Sequence, residues 1–182
     1  NGAGMVGTTP TLTNAALTFA KVEDGGAFFN LGGGPNLNYT SNWQLFPDVP
    51  LDNDAVYFGD VIPFCEFGID MNVNQASGGG NAPFTPEYWN GAAWVSLTTV
   101  FDGTTAGVPT GVESFERDGA ISFVPPADWA STTVDGQAAF WVRWRITTQA
   151  DIGVALGTTN AVEHDIVTPN GGFVSHVTGT IT

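Results

Sequence analysis

The stretch PEYWNGAAWVSL, residues 86–97, places Tyr88 and Trp89 before an Asn-Gly pair and Trp94 after it. Such rings stack on sugars, and neighbouring Asn and Asp side chains can bond to hydroxyls, so these three residues are candidate glycan contacts. The alternatives are intersubunit contacts or, as we favour, filling of a hydrophobic core and plugging of its edges. That last interpretation covers Trp89, Trp94, Trp129 and Trp144.

Three loops carry clustered oxygen ligands of the kind that calcium prefers. They are DNDA at 52–55, FDGTT at 101–105 and ERDG at 116–119. None has the spacing of an EF-hand, and Asp is a common turn former, so turn formation is the preferred interpretation. Calcium is kept as a candidate cofactor, and no metal-ligating residue is assigned.

The sequence contains no recognisable catalytic motif. A serine or cysteine triad needs a histidine base, and the two histidines, His164 and His176, have no nucleophile motif around them. The EHD stretch at 163–165 is 12 residues from His176, which matches no zinc spacing and favours solvated loop residues. Cys65 lies in an apolar run and is interpreted as a small buried hydrophobic residue. We therefore assign no catalytic residues.

The charge is strongly unbalanced, with 18 acidic residues, four basic residues and a formal net charge of -14. A field of this sign repels phosphate, so nucleic acids and anionic membranes are excluded as partners. Two of the four cations, Arg143 and Arg145, occupy one strand face. We expect structural ion pairs between them and Glu66, Glu87 or Asp70, the alternative being an anion-binding subsite.

The elements that position these residues are predicted to be short strands. In AAFWVRWRITT, residues 138–148, alternation places Phe140, Val142, Trp144 and Ile146 on one face and Trp141, Arg143, Arg145 and Thr147 on the other. Asn90-Gly91 predicts a hairpin with a type I′ turn, and Asp118-Gly119 predicts a second hairpin. PADWASTTVDGQ, residues 126–137, indicates a turn or one-turn helix.

Seven to nine strands with almost no helix are typical of an antiparallel β-sandwich, so the fold class is all-β. Residues 1–50 are interpreted as an extended N-terminal arm with one strand at 11–22, and residues 51–150 as the sandwich core. Residues 151–182 are expected to form a loop and a closing strand, GGFVSHVTGTIT, of the same domain.

Six pieces between residues 54 and 149 occur in an informative order. They are DAVYFG, PFCEFGIDMNV, EYWNGAAWVSL, FDGTT, GAISFVPPADW and FWVRWRITT. This order resembles the jelly-roll β-sandwich modules of tailed-phage virion proteins, which have a Tyr-Trp and Trp pair around a Gly turn, an Asp-Gly-Thr loop and an aromatic strand with two arginines.

The resemblance implies a non-enzymatic structural protein, a capsid decoration (cement) protein or a head/tail fibre module at the virion surface. Its partners would be capsid or tail subunits, and a homo-oligomer such as a trimer is expected. The alternative is a carbohydrate-binding module of a secreted or tail-associated protein, which would be extracellular.

Overall fold

The computed structural model describes residues 15–30, 43–47, 49–73, 83–105, 113–151 and 158–166. These residues form strands and one short 3-10 helix, Gln149–Asp151. The strands are β1 Ala15–Ala16, β2 Phe19–Asp24, β3 Ala27–Asn30, β4 Trp43–Gln44, β5 Ala55–Asp60, β6 Phe64–Val73, β7 Phe84–Trp89, β8 Trp94–Ser96, β9 Val100–Asp102, β10 Gly119–Phe123, β11 Ser131–Val134, β12 Gln137–Ile146 and β13 Thr158–Ile166. The all-β prediction is confirmed, although several of the strands are shorter and the total is larger than expected.

The strands form two antiparallel sheets. The six-stranded sheet has the order β1-β13-β6-β10-β9, with β4 pairing to β13, and the seven-stranded sheet has the order β3-β2-β5-β12-β7-β8. β11 pairs with the first half of β12, so β11 and β7 lie along the same edge of that strand. No helix among the described residues is long and apolar enough to cross a membrane.

The two sheets pack against each other through aromatic side chains. Phe67 of the six-stranded sheet has its ring centroid 4.6 Å from that of Phe58 and 5.5 Å from that of Trp144, both in the seven-stranded sheet. Buried residues of both sheets join in one hydrophobic cluster. An all-β sandwich with an aromatic core follows from this packing.

Strand β12 has the two faces that its alternation predicts. Val142, Trp144 and Ile146 lie in the main core, with Phe140 packed against it. Trp141 belongs instead to a second, smaller hydrophobic cluster, on the outer face of the seven-stranded sheet. The strand therefore has large side chains packed on both faces, which is typical of a strand in the middle of a sheet.

The tight hairpin turns form at other positions than the sequence predicts. Positive φ at both turn residues, as a type I′ turn requires, occurs at Gly25-Gly26 and at Asp135-Gly136. At Asn90-Gly91 only the glycine has positive φ, and the loop has four residues because Trp89 pairs with Trp94. The Asn90 side chain accepts hydrogen bonds from the Ala92 and Ala93 amides, which stabilises this wider loop.

Three further element predictions are wrong. Residues 113–118 contain no strand, so Asp118-Gly119 is not a hairpin turn; the Asp118 carboxylate instead accepts a hydrogen bond of 2.8 Å from the Met71 amide. Residues 131–134, expected in a turn or helix, form β11, whose β-branched threonines and valine favour an extended chain. EHD at 163–165 lies in strand β13, not in a loop.

The sandwich extends beyond the 51–150 range that the sequence suggested for its core. The described residues before position 51 contribute β1 to β4, and β2 pairs with β5 in the seven-stranded sheet. After position 150, β13 lies between β1 and β6 in the six-stranded sheet. The expected closing strand at 171–182, with His176, lies outside the described residues.

Candidate functional site

The candidate glycan-contact residues do not share one surface. Trp89 and Trp94 face each other across β7 and β8, with ring centroids 5.8 Å apart. Tyr88 packs against the main core from the opposite face of β7, and its hydroxyl donates a 2.9 Å hydrogen bond to Asp128. The pKa of Tyr88 is raised, mainly by partial desolvation and to a smaller extent by the hydrogen-bonded Asp128 carboxylate.

Four aromatic rings form a continuous row over the outer face of the seven-stranded sheet. Trp89 contacts Trp94, Trp94 contacts Tyr57 at 5.5 Å, and Tyr57 contacts Phe28 at 5.6 Å, all edge to face. Trp94 on β8 thus reaches back across β7 and β12 to β5, while Phe28 on β3 reaches across β2. Side chains from both outer strands, β8 and β3, thus meet at Tyr57 in the middle of the sheet.

The two arginines lie under and beside the aromatic row and bind the same carboxylate. Arg143 donates to Glu87 at 2.7 Å, and Arg145 bonds to Glu87 at 3.0 Å. The Arg143 guanidinium also lies over the Trp94 ring, 4.4 Å from its centroid. One face of the Trp94 indole is therefore occupied by a cation of the protein itself.

A tyrosine extends this network to a second carboxylate. Arg143 donates a 2.8 Å hydrogen bond to the Tyr57 hydroxyl, which donates in turn to Glu23. Two arginines and two glutamates balance in charge, and they connect β2, β5, β7 and β12. The Glu23–Tyr57–Arg143–Glu87–Arg145 network is therefore suited to fixing strand register, since each ion is paired inside a partly desolvated site.

The identity of the carboxylate follows from strand pairing. Glu87 lies directly opposite Arg143 in the β7–β12 ladder, whereas Glu66 and Asp70, the other two expected partners, lie on β6 in the other sheet. Burial raises the pKa of Tyr57 above its usual range, and the Arg143 guanidinium offsets part of that rise. Tyr57 therefore stays a protonated hydrogen-bond donor over the physiological pH range.

Trp141 is fully buried on this outer face, which was not expected from the sequence. It is 0% exposed, packs on Phe19 at 5.7 Å, and donates from Nε1 to the Thr132 carbonyl at 3.2 Å. Its indole lies across Gly59 of β5, where a Cβ would come within 2.4 Å of the ring. A glycine inside a strand often marks a site where another group approaches the backbone closely.

The FDGTT loop is held by a buried polar cluster. The Asp102 carboxylate accepts hydrogen bonds from the Thr104 amide and hydroxyl at 2.7 and 2.6 Å, and from the Ser114 hydroxyl. Ser114 accepts in turn from the Trp144 indole at 2.8 Å. The Asp-Gly-Thr motif therefore couples its loop to the central tryptophan of the core.

The other two candidate calcium loops are also bonded within the protein. In DNDA, Asp54 accepts from the Gly25 and Leu51 amides at 2.9 and 2.8 Å, and Asp52 accepts from the Gln149 amide. Within the part of the chain that the structure describes, no three His, Cys, Asp or Glu side chains come together as a metal site. These aspartates act as turn and loop organisers in the described contacts.

Large apolar side chains are exposed at other places on the sandwich. The six described residues of this kind are Val49, Leu51, Val61, Ile62, Phe101 and Val124. Cys65, by contrast, is buried, as expected of a cysteine that acts as a small hydrophobic residue. Apolar side chains are thus exposed at these six positions, whereas the arginines and glutamates of the ionic network are bonded to one another.

No family model matches the sequence, and no curated protein matches it either.

Proposed function

We propose that this protein is a non-enzymatic structural module of a virion, a capsid decoration protein or a head/tail fibre component that binds neighbouring subunits. The observation that carries the proposal is a contrast between polar and aromatic side chains that are bonded within the chain and apolar side chains that are exposed. Arg143, Trp144 and Asp102 are bonded to other groups of the same chain, while apolar side chains such as Phe101 and Val124 are exposed.

The pairing of the strands supports a sandwich of the jelly-roll type. A jelly roll is a long hairpin of eight strands, rolled up so that the first pairs with the eighth, the second with the seventh, and so on inward. With β2, β3, β4, β9 and β11 set aside as additions, four observed pairs are nested in this way: β1 with β13, β5 with β12, β6 with β10, and β7 with β8.

The motifs that resemble phage virion modules have structural roles in this chain, which also supports the proposal. The Trp89–Trp94 pair closes the β7–β8 hairpin, and Asp102 holds the Asp-Gly-Thr loop. Arg143 and Arg145 join β12 to β7 through Glu87. A motif set of this kind preserves a fold, which is what a structural module requires.

The charge of -14 agrees with a surface protein that must stay soluble while its apolar contacts are made with other subunits. We propose the virion surface as its location, with capsid or tail subunits as partners. A cyclic homo-oligomer, for example a trimer, is the assembly proposed for the copies on a particle.

The proposal is tested on particles from the source that produces the chain. Electron cryomicroscopy of these particles, with quantitative mass spectrometry, should place the sandwich on the particle surface in a fixed, symmetric copy number. Recovery of the protein free of particles, or in variable amounts far below one copy per symmetry-related position, would contradict it.

A carbohydrate-binding module is the second candidate, because Trp89 and Trp94 are each only partly buried and lie side by side. The Arg143 guanidinium leaves at most one face of Trp94 for a sugar. A glycan array should then give binding that Trp89→Ala abolishes and Trp129→Phe, a change at the core margin, retains. Absence of sugar binding by the wild type would remove this candidate.

A further inference from the structure

Two short loops lie at one end of the sandwich, and both have apolar side chains exposed to solvent. The first, residues 61–63 (VIP), joins β5 to β6, and the second, residues 124–126 (VPP), follows β10. Val61, Ile62 and Val124 are 61%, 38% and 50% exposed. We call these three residues the end surface.

The two loops are held side by side by the aromatic residues next to them. Phe64, directly after the first loop, has its ring centroid 5.7 Å from that of Phe123, directly before the second loop. Trp129 contacts the Phe64 ring at 5.2 Å and the Phe123 ring at 5.7 Å. Asp60 accepts a hydrogen bond of 3.3 Å from the Ile62 amide. The end surface therefore has a packed base, and covering it costs little conformational order.

The chain leaves the six-stranded sheet beside this surface. Ile166, the last residue of β13, lies opposite Phe64 of β6, and β10 lies on the other side of β6. Adjacent strands are about 4.8 Å apart, so residue 167 begins about 10 Å from β10. The segment 167–182 lies outside the described residues. Its 16 residues can span about 50 Å when extended, which is enough to reach a neighbouring copy.

The segment 167–182 differs from the body of the chain in its charge. All 18 acidic and all four basic residues lie between Lys21 and Asp165, and residues 166–182 contain none. Two copies repel each other through bodies with a net charge of -14, whereas an uncharged segment of one copy approaches the other without that cost. In an extended chain, three large apolar residues of the segment lie on one side: Phe173, Val177 and Ile181.

A second uncharged segment, residues 1–20, fits the end surface less well. The chain also enters β1 from this end, because Ala15 pairs with His164 in antiparallel register. Met5 and Val6 are adjacent, however, so an extended chain places them on opposite sides. Only the segment 167–182 combines absence of charge with a continuous apolar side.

We propose that the end surface is an interface between copies of this chain, in which the segment 167–182 of one copy packs through its apolar side on the end surface of the next. The donor segment and the acceptor surface belong to the same end of each sandwich, so reciprocal exchange closes a cyclic dimer or trimer with each end surface covered. The inference deepens the homo-oligomer of the proposed function and rests on it. It does not depend on the virion location.

Sedimentation velocity of the full chain over a series of protein concentrations tests the contact. The wild type should associate reversibly. Val177→Asp in the donor segment and Val61→Asp in the end surface should each weaken this association about tenfold or more, since each places a charge in the covered apolar contact. Two controls add the same charge and should associate as the wild type does: Val49→Asp, at a residue 72% exposed before β5, and Val6→Asp in the other uncharged segment.

An equimolar mixture of the two weakened variants separates this exchange from other contacts. Val177→Asp keeps an intact end surface and Val61→Asp keeps an intact donor segment, so the mixture should associate more strongly than either variant alone. A contact between two end surfaces, or a segment packed on its own chain, gives no such complementation. Absence of mixed pairs, with one variant fluorescently labelled, therefore contradicts the inference.

The remaining outcomes assign failure to one proposal or the other. A wild type that is monomeric at every concentration overturns this inference together with the proposed homo-oligomer. Association that survives both Val61→Asp and Val177→Asp, or that is lost in Val6→Asp, overturns this contact and leaves the homo-oligomer in place. Association as expected, in a protein absent from particles, retains the interface and removes the virion role. Far-UV circular dichroism establishes that each variant is folded.

Discussion

The outer faces of the two sheets differ in how their polar and aromatic residues are used. On the seven-stranded sheet, the aromatic row and the Glu23–Tyr57–Arg143–Glu87–Arg145 network cover the strands, and Trp141 is fully buried. On the six-stranded sheet, Phe101 of β9 and Val124, which follows β10, are 64% and 50% exposed. Large side chains on the first face are packed against other parts of the chain, whereas Phe101 and Val124 on the second are exposed.

This difference separates the residues that are conspicuous in the sequence from those that are exposed in the structure. Tryptophans and arginines are the most conspicuous candidates for binding residues in this sequence. In the structure, Trp141 and Trp144 donate hydrogen bonds within the chain, and Arg143 and Arg145 pair with a carboxylate of the same chain. Phe101 of β9 and Val124, one residue after β10, are exposed instead.

The largest effect is expected on removal of the shared carboxylate. Glu87→Ala leaves Arg143 and Arg145 partly buried without their counterion, and it should lower the free energy of unfolding by about 3 kcal/mol, measured by urea denaturation. Asp135→Asn, which breaks the more exposed ion pair with Lys21 and keeps a residue that tolerates positive φ, should cost about 1 kcal/mol or less. Equal losses for the two variants would contradict the buried network.

A pair of strand glycines compares the two faces directly. Gly59→Ala should destabilise the protein by about 1–3 kcal/mol, because the new methyl group would lie 2.4 Å from the Trp141 ring. Gly68→Ala, on the six-stranded sheet, meets no atom closer than 4.0 Å and should change stability by about 0.5 kcal/mol or less. Thermal unfolding of the two variants measures this, and a harmless Gly59→Ala would mean that Trp141 is not packed on β5.

The hydrogen-bonded hydroxyl of Tyr57 gives a pH dependence. Tyr57→Phe should cost about 1–2 kcal/mol near neutral pH, since Arg143 and Glu23 each lose a partner. The pKa of Tyr57 in the folded state is raised above its usual 10.0, so the unfolded chain releases this proton first as pH rises. The stabilisation is therefore complete below about pH 10 and is lost above it.

Urea denaturation of both proteins at a series of alkaline pH values checks the sign. Wild-type stability should fall more steeply above pH 10.0, the usual pKa of a tyrosine, than that of Tyr57→Phe. Parallel curves for the two proteins would contradict a protonated, buried Tyr57.

The smallest effect on stability is expected at Phe101 and Val124, the exposed side chains of the six-stranded sheet. Phe101→Ser and Val124→Ser replace exposed side chains, and each should change the free energy of unfolding by about 0.5 kcal/mol or less. Solubility at high protein concentration should rise in both variants, because exposed apolar area is removed. A loss of several kcal/mol would show that Phe101 or Val124 is covered in the folded protein.

The alternation of apolar residues was sufficient to predict the all-β class and both faces of β12. It could not identify Glu87 as the partner of Arg143 and Arg145, because that choice depends on which distant strand pairs with β12. Nor could it predict that the outer face containing Trp141 is buried, since alternation assigns a side chain to a face without revealing what covers that face.

The turns show a second limit. Asn90-Gly91 and Asp135-Gly136 carry the same kind of local signal, but only Asp135-Gly136 forms the two-residue turn. At Asn90 the side chain bonds to two loop amides instead, a competition that a dipeptide rule does not contain. β9 was not predicted as a separate strand, because the Asp-Gly signal at 118–119 suggested that β10 pairs with the residues just before it. In the structure, β10 pairs with β9 and β6 instead.

Hydroxyl-radical footprinting with mass spectrometry tests the central contrast most directly, since it reads the solvent exposure of individual side chains in the folded, unmodified protein. We predict rapid oxidation of Phe101, and protection of Trp141 and Tyr57 to the level of Trp144 in the core. Oxidation of Trp141 and Tyr57 as fast as that of Phe101, in protein that remains folded, would contradict the account.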